Sequence, residues 1–218
     1  MKTIHCNIYG DYDISDLAVI ILNTKEFQRL HYIKQTSCSY KIFPTSIHTR
    51  LEHCLGTYHI TDVLLSHLLH VQPELDSDVT PRIKELIMIA GLVHDLGHFA
   101  FSHLDRHVLP ILEKKYNVDV GRWKHHEYRS IDIFKHIVNK YKIPLENHEV
   151  DFITECIEPT EGNTLWYQNI INNTINGLDV DKFDYIQRDI RAYGSHIDTL
   201  DVYRVITNSR VIDGELSY

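Results

Sequence analysis

The sequence predicts a mainly α-helical protein, folded as one compact helical globule. Three observations carry that class. Apolar residues recur at helical spacing over long stretches, as in Leu51, Leu55, Tyr58, Leu65 and Leu68. Helix-start signatures precede several such stretches: Asn23 with Glu26, Thr49 with Glu52, and Thr80 with Pro81. Runs that alternate with a period of two are scarce. With 218 residues, 43% of them hydrophobic and 24% charged, the chain can bury a sizeable core.

In chain order, residues 14–22 are strongly apolar, and the Asn23/Glu26 capping box predicts a helix through Phe27, Leu30 and Ile33. Residues 36–47 mix Ser, Tyr, Phe and Pro44 without helical period and read as a loop or a short extended piece. Thr49 opens a helix reaching about His70, and a polar loop covers residues 72–80. Thr80 and Pro81 then suit the N-cap and first position of a buried helix through Leu86–Val93. That helix delivers the adjacent pair His94-Asp95 at its tip, just before Gly97, a residue type favoured where helices end. Residues 104–116 read as a helix disturbed by Pro110, and a clear amphipathic helix starts near His125 and runs past Ile131, Phe134, Ile137 and Tyr141. Shorter helices are predicted over 150–157 and 165–176, and Gly177 precedes a turn and helix over 179–189. Repeats, low-complexity segments and interdomain linkers are absent.

A net charge of −8 argues against a general nucleic-acid coat, because phosphate binding runs on Lys and Arg. A small anionic substrate fits if basic residues gather in a cleft. Apolar runs stay well short of the roughly 18 residues of a membrane span, and residues 1–7 lack the long apolar core of a signal peptide, so a cytoplasmic protein is expected. Cys6, Cys38, Cys54 and Cys156 are scattered without a CxxC pair, which predicts reduced thiols. Sixteen histidines are the compositional anomaly. Histidine is the commonest metal ligand and a frequent acid–base group.

A carboxylate and an imidazole at the tip of a buried helix are costly unless paired or metal-bound. His53 stands on the preceding helix, and Asp181 opens the acidic helix after Gly177. Two imidazoles and two carboxylates from three helices suit one divalent metal ion (Mn, Fe, Zn or Mg), with positions left for water and substrate. Such an ion makes water nucleophilic near neutral pH, which is matched to the slow hydrolysis of phosphate esters.

The ordered pattern His53, His94-Asp95, Asp181 resembles the H…HD…D signature of the HD-domain metal phosphohydrolases. The segments 27–35, 50–53, 94–103 and 179–185 resemble one branch, the deoxynucleoside triphosphate triphosphohydrolases of the SAM-and-HD-domain type. The likeness implies an all-α HD domain over residues 1–218, without the C-terminal lobe of longer relatives and with no SAM domain before it. It implies hydrolysis of dGTP or another dNTP to deoxynucleoside and inorganic triphosphate, with His53, His94, Asp95 and Asp181 as metal ligands. His126 would protonate the departing 5′ oxygen and Asp105 would orient it, with His125 as a rival for the acid. Arg50, His98, His103 and Lys182 would line the triphosphate, and Gln35, Tyr185 and Asp189 would contact the sugar. Assembly as a homo-oligomer is compatible with the resemblance.

Three departures from the family pattern stand out. Thr36 occupies a place where deoxy-specific relatives carry a bulkier aliphatic residue. Asn23 and His31 replace an acidic and a basic residue that read a regulatory guanine nucleotide in vertebrate relatives. Between His103 and Asp105 the chain is one residue shorter. Another HD activity (nucleotidase or phosphodiesterase) and a non-catalytic nucleotide- or RNA-binding module remain the alternatives.

Overall fold

The computed structural model describes residues 2–160, 165–194 and 201–218. The chain opens on a hairpin absent from the sequence reading: β1 (Lys2–Cys6) pairs antiparallel with β2 (Gly10–Ile14). Its alternation is masked because only Tyr12 and Ile14 are fully buried along the two strands. Helix α1 (Asp16–Leu22) follows, with the Ser15 hydroxyl accepting from the Ala18 amide.

The predicted capping box at Asn23 does not form. Asn23 closes α1, and Thr24 caps the short α2 (Lys25–Gln28), which tightens into a 3₁₀ turn over Arg29–Tyr32. Thr24 wins because its hydroxyl reaches both the Phe27 amide and the Ile21 carbonyl, joining the two helices through one side chain. Residues 36–47 are turns with one 3₁₀ piece, Ser39–Lys41, in keeping with the predicted loop.

Helix α3 (Arg50–Val71) begins at the predicted Thr49/Glu52 capping box and is buried on most sides. It packs against α4 (Pro81–Val93), started by Thr80 and Pro81 as expected, and against α8 below. Helix α5 (Asp105–Tyr116) carries Pro110 inside it, and α6 (His126–Tyr141) starts at His125. Next come α7 (Asn147–Ile157), α8 (Val180–Tyr193) and α9 (Val202–Asn208), then a second hairpin of β3 (Arg210–Ile212) and β4 (Glu215–Ser217). The helix predicted over 165–176 is instead a set of turns around one 3₁₀ piece, Gln168–Ile170. Asn172 and Asn173 explain this, since their side chains bond backbone carbonyls at the end of α7 (Ile157) and in the following turn (Leu178) in place of a helical ladder. The all-α class holds, with two small hairpins added at the described ends. No helix among the described residues is long and apolar enough to cross a membrane.

Candidate metal centre

Helices α3, α4 and α8 meet at four side chains. The Nε2 of His53 lies 2.9 Å from Asp181 Oδ1, 3.4 Å from Asp95 Oδ2 and 3.3 Å from His94 Nε2. The Nε2 of His94 lies 3.5 Å from Asp181 Oδ1 and 3.6 Å from Asp95 Oδ2. Adjacent residues inside a helix point about 100° apart, so His94 and Asp95 could not both face one point from a regular helix. The structure resolves this by ending α4 at Val93. Beyond it, the Leu96 amide bonds Val93 and the His98 amide bonds Asp95, three-residue links that tighten the chain and turn both side chains to the same side.

The other ring nitrogens are spoken for. Nδ1 of His94 meets the Gly91 carbonyl at 2.8 Å, and Nδ1 of His53 meets Asp184 Oδ2 at 2.7 Å. Both Nε2 atoms are therefore aimed at the centre, the usual arrangement for metal-binding imidazoles. The electrostatics also favour positive charge there. Burial opposes protonation of His53, but its hydrogen bonds to Asp181 and Asp184 outweigh that and push its pKa up to about 10. The buried Asp95 and the partly exposed Asp181 are both held well below the ordinary carboxylate range, Asp95 by the Arg50 guanidinium and Asp181 by the two imidazoles. Two neutral-capable nitrogens, two ionised carboxylates and a preference for cationic charge fit a borderline divalent ion. His53, His94 and Asp95 form a group able to hold one, and Asp181 Oδ1 faces the Nε2 atoms of both histidines.

A profile of the HD domain family matches residues 50–189, the span that contains all four donors. The chain belongs to the HD domain family. It is similar to the HD domain-containing protein L394 of Acanthamoeba polyphaga mimivirus, at 38% identity over 86% of this chain and 42% of that protein. Deoxynucleoside triphosphate triphosphohydrolase SAMHD1 of Gallus gallus is 35% identical over 98% of this chain and 37% of its own length. The protein of that name from Homo sapiens is 35% identical over 99% of this chain and 37% of its own length. The chain thus spans about two fifths of the relatives it matches.

In this HD domain His94, Asp95 and Asp181 border a cavity of about 640 Å³, with the fully buried His53 behind them. Of the residues expected to contact substrate, Gln35, Arg50, His103, Lys182, Tyr185 and Asp189 line it, and so do His126 and Thr36. Arg50 is buried and pairs with Asp95 Oδ2 at 2.5 Å, while its Nε donates to Ser102 Oγ at 3.0 Å. Lys182 Nζ donates to the Gly177 carbonyl, and Asp189 Oδ1 meets His48 Nε2 at 2.7 Å. Thr36 Oγ1 lies 2.7 Å from Ser46 Oγ.

His98 stands behind Asp95, with Nε2 at 3.1 Å from Oδ1, and its ring stacks on His126 at 4.1 Å between centroids. His103 meets the same ring edge-on at 4.8 Å. Burial lowers His98 to about 4; burial and the neighbouring His98 lower His126 to about 2, so both are neutral at pH 7. The rival His125 is exposed, its ring 6.4 Å from Tyr128, whereas His126 Nε2 comes within 3.6 Å of Asp95 Oδ1. Asp105 sits elsewhere than expected: its Oδ2 accepts from Arg129 Nη2, and the carboxylate nearest His126 Nδ1 is that of Glu127, at 3.3 Å.

Sequence reasoning missed the supports of this site. Three consecutive carbonyls of the turn after His94-Asp95 are held by two arginines. Arg29 donates to Leu96 and, at 2.8 Å, to His98, and Arg129 Nε donates to Gly97 at 2.7 Å. Gly97 lies outside the left-handed region, so it does not end α4 as a glycine cap. It is small because a Cβ there would come 2.2 Å from the His126 carbonyl. Asp184 and Arg188, one turn apart on the buried face of α8, could have been suspected as an i, i+4 charge pair beside the apolar Phe183.

Proposed function

We propose that this HD domain is a metal-dependent phosphohydrolase acting on deoxynucleoside triphosphates, releasing deoxynucleoside and inorganic triphosphate. The observation carrying this reading is the convergence of His53, His94, Asp95 and Asp181 on one point beside a cavity that also presents Arg50, Lys182, His103 and His126. Likeness to relatives named as dNTP triphosphohydrolases supports the substrate class.

The chemistry supplied when a divalent cation is bound is Lewis acidity at a phosphoryl oxygen and acidification of water, from a pKa of about 15.7 towards about 7. His53, His94, Asp95 and Asp181 would hold that ion. Arg50, Lys182 and His103 bind and orient the triphosphate, with Lys182 leaving the Gly177 carbonyl to do so. His98 is suited to an oxygen ligand because its buried Nδ1 has no hydrogen-bond partner among the described residues, while its Nε2 faces Asp95 Oδ1. His126 carries the proton for the departing 5′ oxygen. Neutral in the free protein, it gains that proton as the polyanionic substrate enters and offsets the burial that holds its pKa down. Asp105 acts indirectly, by holding Arg129 and through it the Gly97 turn against which α6 and His126 rest. Gln35, Tyr185 and Asp189 close the sugar side of the cavity.

Incubating the protein with each dNTP and NTP in the presence of Mn, Fe, Mg or Zn, and resolving the phosphate products, tests the reading. Inorganic triphosphate is expected, abolished by His94→Ala or Asp95→Ala. Orthophosphate or pyrophosphate as the product would refute it and assign the site to a different phosphohydrolase class.

A further inference from the structure

We infer that Asp184, held in place by Arg188 and Tyr9, is the positioning residue of His53. It fixes the ring's orientation and keeps a proton on Nδ1, so that Nε2 faces the cation site. The inference rests on the metal reading above, but concerns a residue that is neither a proposed ligand nor part of the cavity wall.

The geometry is closed on every side. Asp184 is fully buried. Its Oδ2 meets His53 Nδ1 at 2.7 Å and accepts from Arg188 Nε at 2.9 Å. Its Oδ1 accepts from Arg188 Nη2 at 2.7 Å and from the Tyr9 hydroxyl at 2.8 Å. An ionised carboxylate only accepts, so the nitrogen facing it must be the donor, and in a neutral imidazole the lone pair then sits on Nε2. The bidentate guanidinium leaves Asp184 no alternative rotamer that keeps its partners. Tyr9, in the turn between β1 and β2, ties the first hairpin into the same network.

The sequence makes room for this carboxylate at one position. Gly56 lies one turn beyond His53 on α3, and a Cβ there would stand 1.9 Å from Asp184 Oδ1 and 2.4 Å from Arg188 Nη2. A glycine inside a helix costs about 1 kcal/mol relative to alanine. Here it admits the group that orients a ligand. On α8, Asp181 and Asp184 are three residues apart, so one turn supplies both a donor to the cation site and the holder of another donor.

The test is the affinity of the metal-free protein for Co²⁺ or Mn²⁺, measured by competition with a chromophoric chelator, together with the visible spectrum of the Co²⁺ form. Asp184→Asn can donate as well as accept, and is expected to weaken binding by about 10- to 100-fold and to alter the Co²⁺ spectrum. Tyr9→Phe, which leaves all charges in place, is expected to weaken it by a smaller factor. Gly56→Ala is expected to match Asp184→Asn although it alters no polar group. Wild-type affinity in a folded Asp184→Asn protein would overturn this inference and leave the metal reading standing. If that variant does not fold, unchanged affinity in Tyr9→Phe overturns it instead. Failure of the wild-type protein to bind either ion would overturn both.

Discussion

Substituting Gly97 by alanine tests whether the turn after the His94-Asp95 pair is packed as tightly as the structure places it. The added Cβ would lie 2.2 Å from the His126 carbonyl oxygen, 2.6 Å from the Ser130 amide and 2.7 Å from Arg129 Cβ. The first two are backbone atoms, so no rotamer change relieves the overlap. Restoring ordinary contact requires α6 and the turn to part by about 1 Å. The Gly97 amide's hydrogen bond to Ser130 Oγ, now 2.8 Å, would lengthen with that movement. Overpacking of this kind costs about 1–3 kcal/mol. At roughly 3 °C per kcal/mol for a chain of this size, the unfolding midpoint should fall by about 3–9 °C in calorimetry. The same displacement carries His126 away from Asp95 and His98, so turnover should fall on the order of 100-fold. Cation affinity should change less, since His53 and Asp181 lie on α3 and α8, away from this contact. A Gly97→Ala protein with an unfolding midpoint within about 1 °C of wild type would refute the packing argument.

Two further outcomes follow from charges near the centre. Arg50→Lys keeps the charge beside Asp95 but loses the fork that also reaches Ser102 and Gln35, so it should lower stability by about 1–2 kcal/mol in urea unfolding and reduce turnover more than cation affinity. In the metal-free protein, acid should unfold the chain earlier than carboxylate titration alone would. Burial lowers His98 from 6.5 to about 4, so below pH 6.5 the unfolded chain takes up a proton that the native chain refuses. Stability is therefore lost as pH falls from 6.5 to about 4, by about 3 kcal/mol at roughly 1.4 kcal/mol per pH unit. Replacing His98 by Asn should make that limb shallower in urea midpoints compared between pH 7 and pH 4.5, the remainder belonging to His126.

Much of this was legible in the sequence wherever a local pattern carried it. The α3 start at Thr49/Glu52, the α4 start at Thr80-Pro81 and the amphipathic α6 follow from caps and periodicity over a few residues. His53, His94, Asp95 and Asp181 were nameable because their order resembles a known signature, and the structure brings their donor atoms together. What stayed hidden depends on approach between distant segments. Asp184 and His53 are 131 residues apart, and the role of Gly56 exists only because α8 crosses α3 at that turn. The glycine after His94-Asp95 was legible as a glycine but not for its reason, since close contact with α6, not backbone conformation, requires it. Asp105 was misplaced by one contact because the partner that captures it, Arg129, sits 24 residues downstream on another helix.

Asp95 joins the two halves of the site. Its Oδ2 faces His53, His94 and Arg50, whereas its Oδ1 faces His98 and His126. Three carboxylates, the buried Asp95 and Asp184 and the partly exposed Asp181, are met by two buried guanidiniums, Arg50 and Arg188, so these five side chains together carry one unit of negative charge. In the free protein His53 makes up that deficit by holding a proton. A divalent cation would displace that proton, and its remaining positive charge would be offset by an anionic substrate. Beside Asp95 Oδ1 it is chiefly burial, and after it the neighbouring His98 and Arg50, that keeps His126 neutral in the free protein. On the function proposed above, this charge balance favours entry of cation and phosphate together, with His126 charging last.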